Sequence, residues 1–539
     1  MKHIVFIIII SFILLDSISA QQSCNWYTHL NGAVNEYVYK IRPLNNQHLL
    51  ICGSVDKSGK IDTTTYFNCN LPSGFIAEFD EQKNVIFTKT FLNTTSTNDP
   101  NYFQTSAICK DVIKDNNGNY YAAVNFTGTL KLDSMQWNAE KGLLVVKLNA
   151  SGQMLWHFFL EKTVLSSMCF DNSNNLVLLA YSPIQMYYTP ANLFLIKLNT
   201  NNGATKKYLI GNNAFSDIKT GEMVFKDSYF YLTCSFVDSI DFSNSQKIKS
   251  PKNSTAVLKL DTNWIIQNYV IFTGKDNKNN IINDLDMDSN GNIFVIGTYN
   301  SNNLHINDTI RLTKSTIASR MFLTKLNSNF QHLWTKQEVQ NPANINTYGM
   351  REGCNLTLDN QNNLYALGYY YNSIILGTDT FTNNSLLLFK YDNNGQYLLS
   401  EKIAGVSGKT YNLEYFNNHL YLSAPFTSTV TVCQNTLSSS GSFNDTYIAE
   451  MDKLTNISSS QNEFNPISIF PNPAHQFIFI SNNLNEKTEY EIVDITGKIV
   501  RSGIIEHSYI PVRDLVNGAY ILQLKTNKRN SHFKILIQH

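Results

Sequence analysis

Two short signatures alternate along this 539-residue chain, seven copies of each, and no other feature constrains the fold as strongly. The first is an apolar–charged–apolar–Asn/Asp step that closes an apolar run. Its charged residues are Glu78, Lys147, Lys197, Lys259, Lys325, Lys390 and Glu450, spaced 50 to 69 residues apart. The second is a polar turn leading into an apolar strand, and its copies begin at Asn45, Asn116, Asn174, Asp227, Asn290, Asn362 and Asn417. Interleaved series of this kind mark a repeat architecture. Each repeat reads as four strands. An Asp/Asn-rich turn joins the first to the second, a longer variable link leads to the third, and an Asn/Gly turn leads to the fourth. Tight hairpins need residues that accept positive φ, which accounts for the Asn and Gly. Trp156 and Trp334 stand at the same place in the fourth strands of their repeats, each nine residues after the signature lysine. Four strands per roughly 60 residues is the pattern of a propeller blade.

A ring of blades has to close, because an open last blade would leave a sheet edge exposed. The last repeat has its third strand, Tyr447 to Met451, and then turns polar from Thr455 to Asn465 with no fourth strand. At the other end, Asn25 to Leu30 carries Trp26 ahead of the first repeat. The N-terminal strand is therefore expected to complete the last blade, beside Thr446 to Met451. The expected fold class is all-β: a seven-bladed β-propeller over 21–455, then a small Ig-like antiparallel β-sandwich. In pattern, the repeats resemble bacterial seven-bladed β-propeller repeat proteins over about residues 25–455.

Composition agrees with that class and narrows the function. Lys+Arg and Asp+Glu are both 42, so the net charge is zero, which argues against a nucleic-acid binder. Charged residues are only 16%, but apolar residues are 43%, enough to bury a core. The Tyr-, Phe-, Ile-, Thr- and Asn-rich mixture prefers strands and turns. Residues 1–20 read as a signal peptide: Lys2 and His3, an apolar run from Ile4 to Leu15, then small and polar residues to Ala20. That run is shorter than the roughly 20 residues a spanning helix needs. Gln21-Gln22-Ser23 ahead of Cys24 does not suit a lipoprotein. No later stretch is apolar enough to span, so no transmembrane segment is expected in the mature chain. Export permits disulfides among the eight cysteines, with the pairing left open. None forms a CxxC pair, and Cys109, Cys169 and Cys354 read as buried thiols beside strands.

After a linker at 456–465, residues 466–539 change to short alternating strands separated by turns. Three motifs follow in order: Ile469-Phe470-Pro471-Asn472-Pro473-Ala474, then Val493-Asp494-Ile495-Thr496-Gly497-Lys498-Ile499-Val500, then Leu515-Val516-Asn517-Gly518-Ala519-Tyr520-Ile521-Leu522. This order closely resembles the type A C-terminal sorting domain of type IX secretion substrates in Bacteroidetes. Phe470 and Ala519 are small departures, at positions where Tyr and Leu/Ile/Thr are also usual. The resemblance implies that Pro471, Asn472, Pro473, Gly497, Lys498, Gly518 and Tyr520 carry the sorting motif. It implies the type IX secretion machinery as partner, and a secreted or cell-surface location reached through the periplasm. In that family the domain is often cleaved, and the cargo is attached to surface polysaccharide or released.

Chemistry is sparse in the repeats. No HExxH, G-x-S-x-G or P-loop is present, and no two histidines have ligand spacing, so no catalytic set, metal or cofactor is expected. Asp286-x-Asp288-x-Asn290-Gly291 begins like a calcium loop, but its twelfth position is Gly297, and the same place in other repeats is a turn. It reads as a structural turn. Asp133-Ser134-Met135, Asp238-Ser239-Ile240 and Asp308-Thr309-Ile310 resemble a short O-glycosylation motif of Bacteroidetes exported proteins. Two functions remain: a binding or scaffold module, or an exported hydrolase or lyase acting on polysaccharide or peptide. Three or more acids or histidines converging on the centre of the ring would favour the enzyme. A glycan or protein ligand is expected on one face, at long inter-repeat links carrying Tyr102, Phe103, Tyr348 and Arg351, with Lys409 and Tyr411 in the corresponding link before the last repeat.

Overall fold

Every regular element described in the computed structural model is a β-strand. The structure describes residues 24–452 and 469–539, except 62–64, 97–104, 183–190, 215–220, 243–245, 251–252, 275, 277, 279, 315–318, 341–349, 404, 408–409, 434, 441–442, 481–487, 495, 506–508 and 526–529. The signal-peptide and linker expectations fall outside these residues. The chain divides into two bodies, Met1–Asn456 and Ile457–His539.

In the larger body the strand pairings group into seven antiparallel meanders of four. The first is Glu36–Pro43, Leu49–Val55, Ser73–Phe79 and Val85–Asn93. The second is Ser106–Lys114, Tyr120–Leu132, Met135–Leu148 and Met154–Glu161. The third is Val164–Phe170, Leu176–Tyr181, Ala191–Leu198 and Thr205–Ala214. The fourth is Met223–Lys226, Tyr229–Asp241, Ser254–Leu260 and Ile266–Thr273. The fifth is Asn280–Met287, Ile293–Tyr299, Arg320–Leu326 and His332–Lys336. The sixth is Met350–Leu358, Leu364–Tyr370, Ser385–Tyr391 and Tyr397–Ile403. The seventh is Asn412–Phe416, His419–Phe426, Asp445–Asp452 and, from the other end of the chain, Cys24–Gly32. The N-terminal strand lies where the missing fourth strand left room, with Trp26 opposite Glu450 and Leu30 opposite Thr446. First strands of successive meanders are neighbours, and that of the seventh returns to that of the first. The meanders therefore form a closed ring.

Second and third strands such as Leu49–Val55 and Ser73–Phe79 are buried along their whole length. They are sandwiched between neighbouring meanders, and so they read in sequence as apolar runs rather than as alternations. In meanders 2, 3, 5 and 6 the turn before the second strand is an Asx turn. In meander 2, Asp115 Oδ1 accepts the amides of Asn117 at 2.9 Å and Asn119 at 2.8 Å. In meander 5, Asp288 does the same for Asn290 and Asn292, both at 2.9 Å. The Asp288 oxygen that a calcium loop would use is thus committed to its own turn.

At two junctions the repeated lysine is a latch between neighbours, whereas Lys197 and Lys390 pair with Asp171 and Asp359 of their own meanders. Lys147 Nζ and Trp156 Nε1 both donate to the Thr200 carbonyl in the next meander's last turn, at 2.8 and 3.1 Å. Lys325 and Trp334 do likewise to the Asn393 carbonyl, at 3.1 and 3.2 Å. Gly203 and Gly395, both at positive φ, lie against these indole rings, where a Cβ would meet Trp156 at 3.1 Å and Trp334 at 2.8 Å.

The variable link between second and third strands is not a simple loop. In five meanders it makes strand that reaches back onto the preceding meander's outer edge: Leu30 pairs with Ile61, Leu92 with Lys131, Asn212 with Asp241, Phe272 with Ile306, and Val339 with Ile375. Covered edges cannot template pairing with another chain.

The smaller body has two sheets. One runs Ile469–Phe470, Phe477–Ile480 and Tyr509–Pro511; the other runs Ile499–Ile504, Glu489–Asp494, Gly518–Lys525 and Asn530–Ile537. Ile478, Ile492, Ile510, Leu522 and Ile535 are among the residues of their shared core.

Candidate functional site

The first strands place charged side chains at the centre of the ring, and a repeated irregularity aims them there. In meanders 1, 2, 3 and 5 the pairing of first to second strand skips one residue, at Tyr39, Lys110, Ser166 and Asn283. A bulge of this kind bends the strand and re-aims the side chains after it. The residues that follow are Lys40, Asp111, Ser167 and Asp284. Glu222 stands just before the first strand of meander 4, and Glu414 lies within that of meander 7.

These groups meet across the ring. Lys40 Nζ lies 3.2 Å from Glu222 and 3.9 Å from Glu414. Arg42 holds Asp111 through both carboxylate oxygens, at 2.9 and 3.0 Å. Asp111 also accepts the Met168 amide at 3.2 Å, and Ser167 donates to Glu222 at 3.0 Å. Asp284 and Asp286 accept the Leu356 and Leu358 amides of meander 6, at 3.0 and 3.2 Å. The side chains of Lys40, Glu222 and Glu414 keep 20%, 27% and 34% of their surface, so solvent reaches them.

The electrostatics sort the acids. Burial would raise Glu222, but Lys40 and the Ser167 hydroxyl outweigh it and hold its carboxyl below the ordinary value. Burial pushes Glu414 up to about 7 against the pull of Lys40 and Arg42. Burial raises Asp286 to about 6, and burial together with the charge of Glu222 pushes Asp284 well above the carboxylate range. Five acids thus converge, which meets in number the mark set for an enzyme. They are interleaved with Lys40, Arg42 and Lys110, however, and four of the five have a cation or a backbone amide within 3.2 Å. Among the described residues, no group of three or more His, Cys, Asp or Glu could hold a metal ion. This centre was not anticipated, although Lys40-x-Arg42 and Asp284-x-Asp286 carry an alternation that pointed to one shared face.

The expected ligand face is only partly visible. Tyr102, Phe103, Tyr348 and Lys409 lie outside the described residues, and for Arg351 the backbone alone is described. Tyr411 is 4% exposed, and its ring is parallel to that of Tyr369 at 6.3 Å. It belongs to the core between meanders 6 and 7, which corrects the expectation that it faces solvent.

One disulfide is present among the described residues, Cys24–Cys433, joining the N-terminal strand to meander 7. Cys109 is a buried free thiol, as expected, whereas Cys169 is free but only half-buried. Cys354 lies on a described strand, but its side chain is outside the description.

In the smaller body the motif residues organise loops. Asn472 donates through Nδ2 to the Lys534 carbonyl at 2.9 Å and accepts the Leu536 amide at 2.8 Å, tying the Pro-Asn-Pro loop to the last strand. Gly497, at φ 86°, closes a turn in which Asp494 accepts the amides of Thr496 and Lys498, at 2.8 and 3.1 Å. Tyr520 donates to the Val516 carbonyl at 2.7 Å. Pro471, Asn472, Pro473, Gly497 and Lys498 remain exposed.

Comparison with curated proteins gave no match. Among solved structures, the chain is similar to the C-terminal WD40 domain of Sif2, with 9% identity, 78% of this chain and 96% of that one covered, and a TM-score of 0.36. It is similar to quinohemoprotein alcohol dehydrogenase from Comamonas testosteroni, with 8% identity, coverage of 82% and 79%, and a TM-score of 0.34. PorZ, a surface component of the type IX secretion system of Porphyromonas gingivalis, matches with 10% identity, coverage of 94% and 82%, and a TM-score of 0.18. At these scores the fold rests on the strand pairing described above. The family comparison is specific to the smaller body: residues 468–538 match the secretion system C-terminal sorting domain, and they mark the chain as a type IX secretion cargo bound for the cell surface or the extracellular space.

Proposed function

We propose that the seven meanders are the blades of one closed propeller, displayed outside the cell as a binding or scaffold module and addressed there by residues 466–539. The observation that carries this reading is the pairing at the ring's centre. Asp111, Glu222, Asp284 and Asp286 are each spent on a cation or on a neighbour's backbone, so they brace the ring instead of standing free for acid–base work. The ligand, a glycan or a protein segment, is assigned to the inter-meander links carrying Tyr102, Phe103, Tyr348, Arg351 and Lys409. Aromatic rings beside a cation suit stacking on sugars or peptide side chains.

One observation favours the second reading, an exported hydrolase or lyase. Among the described residues, the one ion pair of Glu414 is the long one to Lys40, and burial sets it near neutrality, where a general acid or base operates best. The exported chain applied to an array of glycans and surface polymers, with turnover followed in parallel, separates the two. Binding without turnover, weakened in Tyr102→Ala, Tyr348→Ala or Arg351→Ala, supports the module. Turnover lost in Glu414→Gln supports the enzyme. Deleting 466–539 should hold the protein in the periplasm, and its efficient arrival at the surface would overturn the address.

A further inference from the structure

The seam where the two ends of the larger body meet encloses a second acidic pair, separate from the ring's centre. Glu36 opens the first strand of meander 1, and Asp445 opens the third strand of meander 7. Both are 0% exposed. Both carboxylate oxygens of Glu36 and Oδ1 of Asp445 are enclosed and, among the described residues, have no hydrogen-bond partner. The backbone brings the two side chains together: the Glu36 amide donates to the Asn444 carbonyl at 2.8 Å and the Thr446 hydroxyl donates to the Glu36 carbonyl at 2.5 Å, on either side of Asp445. Around them, His29 Nε2 on the N-terminal strand pairs with Asp445 Oδ2 at 2.9 Å, and the Ser440 amide donates to the same oxygen at 3.2 Å. Asp56 adds negative charge, itself eased by Lys57, and Tyr37 and Cys69 are the other titratable groups that feel Glu36. The Val34 amide works the other way and favours the charged form. Gly32 closes the remaining side: a Cβ there would lie 1.9 Å from Glu36 Oε1.

Two adjacent carboxylates that are both ionised and both cut off from water are not a stable arrangement, since burial and mutual repulsion each favour neutralising one of them. We propose that Glu36 and Asp445 share a single proton, and that this acid pair locks the ring by bonding the first strand of the first meander to the last meander. A proton on Glu36 makes it the donor that Asp445 Oδ1 lacks, so one hydrogen bond gives two of the three stranded oxygens a partner. A divalent cation would need several more oxygen ligands, whereas Asp445 Oδ2 is already taken and Gly32 crowds Oε1.

The lock has a pH sense. Burial first, then Asp445, pushes Glu36 up to about 9 from an ordinary 4.5. Between those values the folded chain holds a proton that the unfolded chain releases. The stabilisation is therefore complete below about pH 4.5 and is lost as pH rises towards 9, by up to about tenfold in the folding equilibrium per pH unit. The test is thermal unfolding of the full exported chain from pH 5 to pH 9.5, as wild type, Glu36→Gln and Asp445→Asn, each with calcium and with chelator. Glu36→Gln carries a permanent donor in place of the proton. It should melt above wild type at pH 8 to 9 and lose part of the downward slope. Equal slopes in Glu36→Gln and wild type would overturn the proposal. So would a calcium-dependent rise in the wild-type melting temperature that Glu36→Gln abolishes, because the pair would then be a cation site. If Glu36→Gln does not fold, Asp445→Asn supplies the same comparison from the other partner, with a flattened slope expected and an unchanged one contradicting the lock.

Discussion

The junction between meanders 2 and 3 and the junction between meanders 7 and 1 occupy equivalent places in the ring but are built with opposite polarity. At the first, a third-strand lysine and a fourth-strand tryptophan reach into the neighbour's turn and bond one backbone carbonyl, that of Thr200. At the second, the third strand carries Glu450, and the lysine comes from the receiving turn. Lys83 Nζ lies 2.6 Å from Glu450 and 5.9 Å from the centre of the Trp26 ring. Inside meander 7, further bonds tie its borrowed fourth strand to the rest of the meander, where other meanders have a continuous chain: the Cys24–Cys433 disulfide, the His29–Asp445 pair, and Asn25 donating to Asp452 at 2.9 Å.

Loop entropy alone does not demand this reinforcement. The bridged cysteines are 409 residues apart. Because closure entropy grows only logarithmically, joining ends that far apart costs about 2 kcal/mol more than closing one repeat. The larger difference is continuity. Meander 3 is covalently tied to meander 2 on one side and meander 4 on the other, whereas Cys24–Gly32 is held in place as an N-terminal segment. Chain ends fray unless they are tied down. The lesson is that side-chain bonds at the seam do what peptide bonds do elsewhere in the ring.

That comparison can be broken in steps of decreasing size. Removing the chain up to Asn31 should abolish cooperative unfolding of the larger body in calorimetry, because it bares the Asp445–Asp452 edge. A protein beginning at Gly32 that melts like the full chain would show that the seam is an accessory. Cys433→Ser should lower stability to denaturant by about 4 kcal/mol, and reduction of the wild type should match it. Lys83→Met should cost about 3 kcal/mol, since it removes the closest cation from Glu450 at 10% exposure and leaves His419 at 3.7 Å, and pairing it with Glu450→Gln should recover part of the loss. The same change in the ordinary latch, Lys147→Met, leaves only a carbonyl that Trp156 still satisfies. It should cost about 1 kcal/mol. Equal losses at Lys83 and Lys147 would remove the distinction between the two junctions.

The seam was legible as a place but not as a mechanism. A surplus strand carrying Trp26 and a last repeat without a fourth strand were enough to assign one to the other, and the register agrees: Trp26 stands to Glu450 as Trp156 to Lys147 and Trp334 to Lys325. The reversal of charge was hidden, because Lys83 lies in an Asn/Asp turn whose residues are chosen for backbone conformation. The links between second and third strands were legible only as variable length, since their pairing partner is the neighbouring meander's edge and not their own repeat. Tyr411 was misplaced for a related reason. An aromatic in a link packs inward or outward according to what faces it, and here that is Tyr369.

By itself the sequence determined the four-strand repeat, the turns, the separate C-terminal body and its sorting motif. Those features depend on alternation, on positive-φ residues and on side chains bonding their own backbone within a few residues, as Asp115 and Asp494 do. The tertiary structure alone decided which charges meet. Lys40 and Glu222 are 182 residues apart and become partners only because four bulged first strands turn inward and the ring closes. Their meeting, and the near-neutral poise of Glu414 beside them, come from the partial burial that the closed ring imposes, which no local stretch of chain carries.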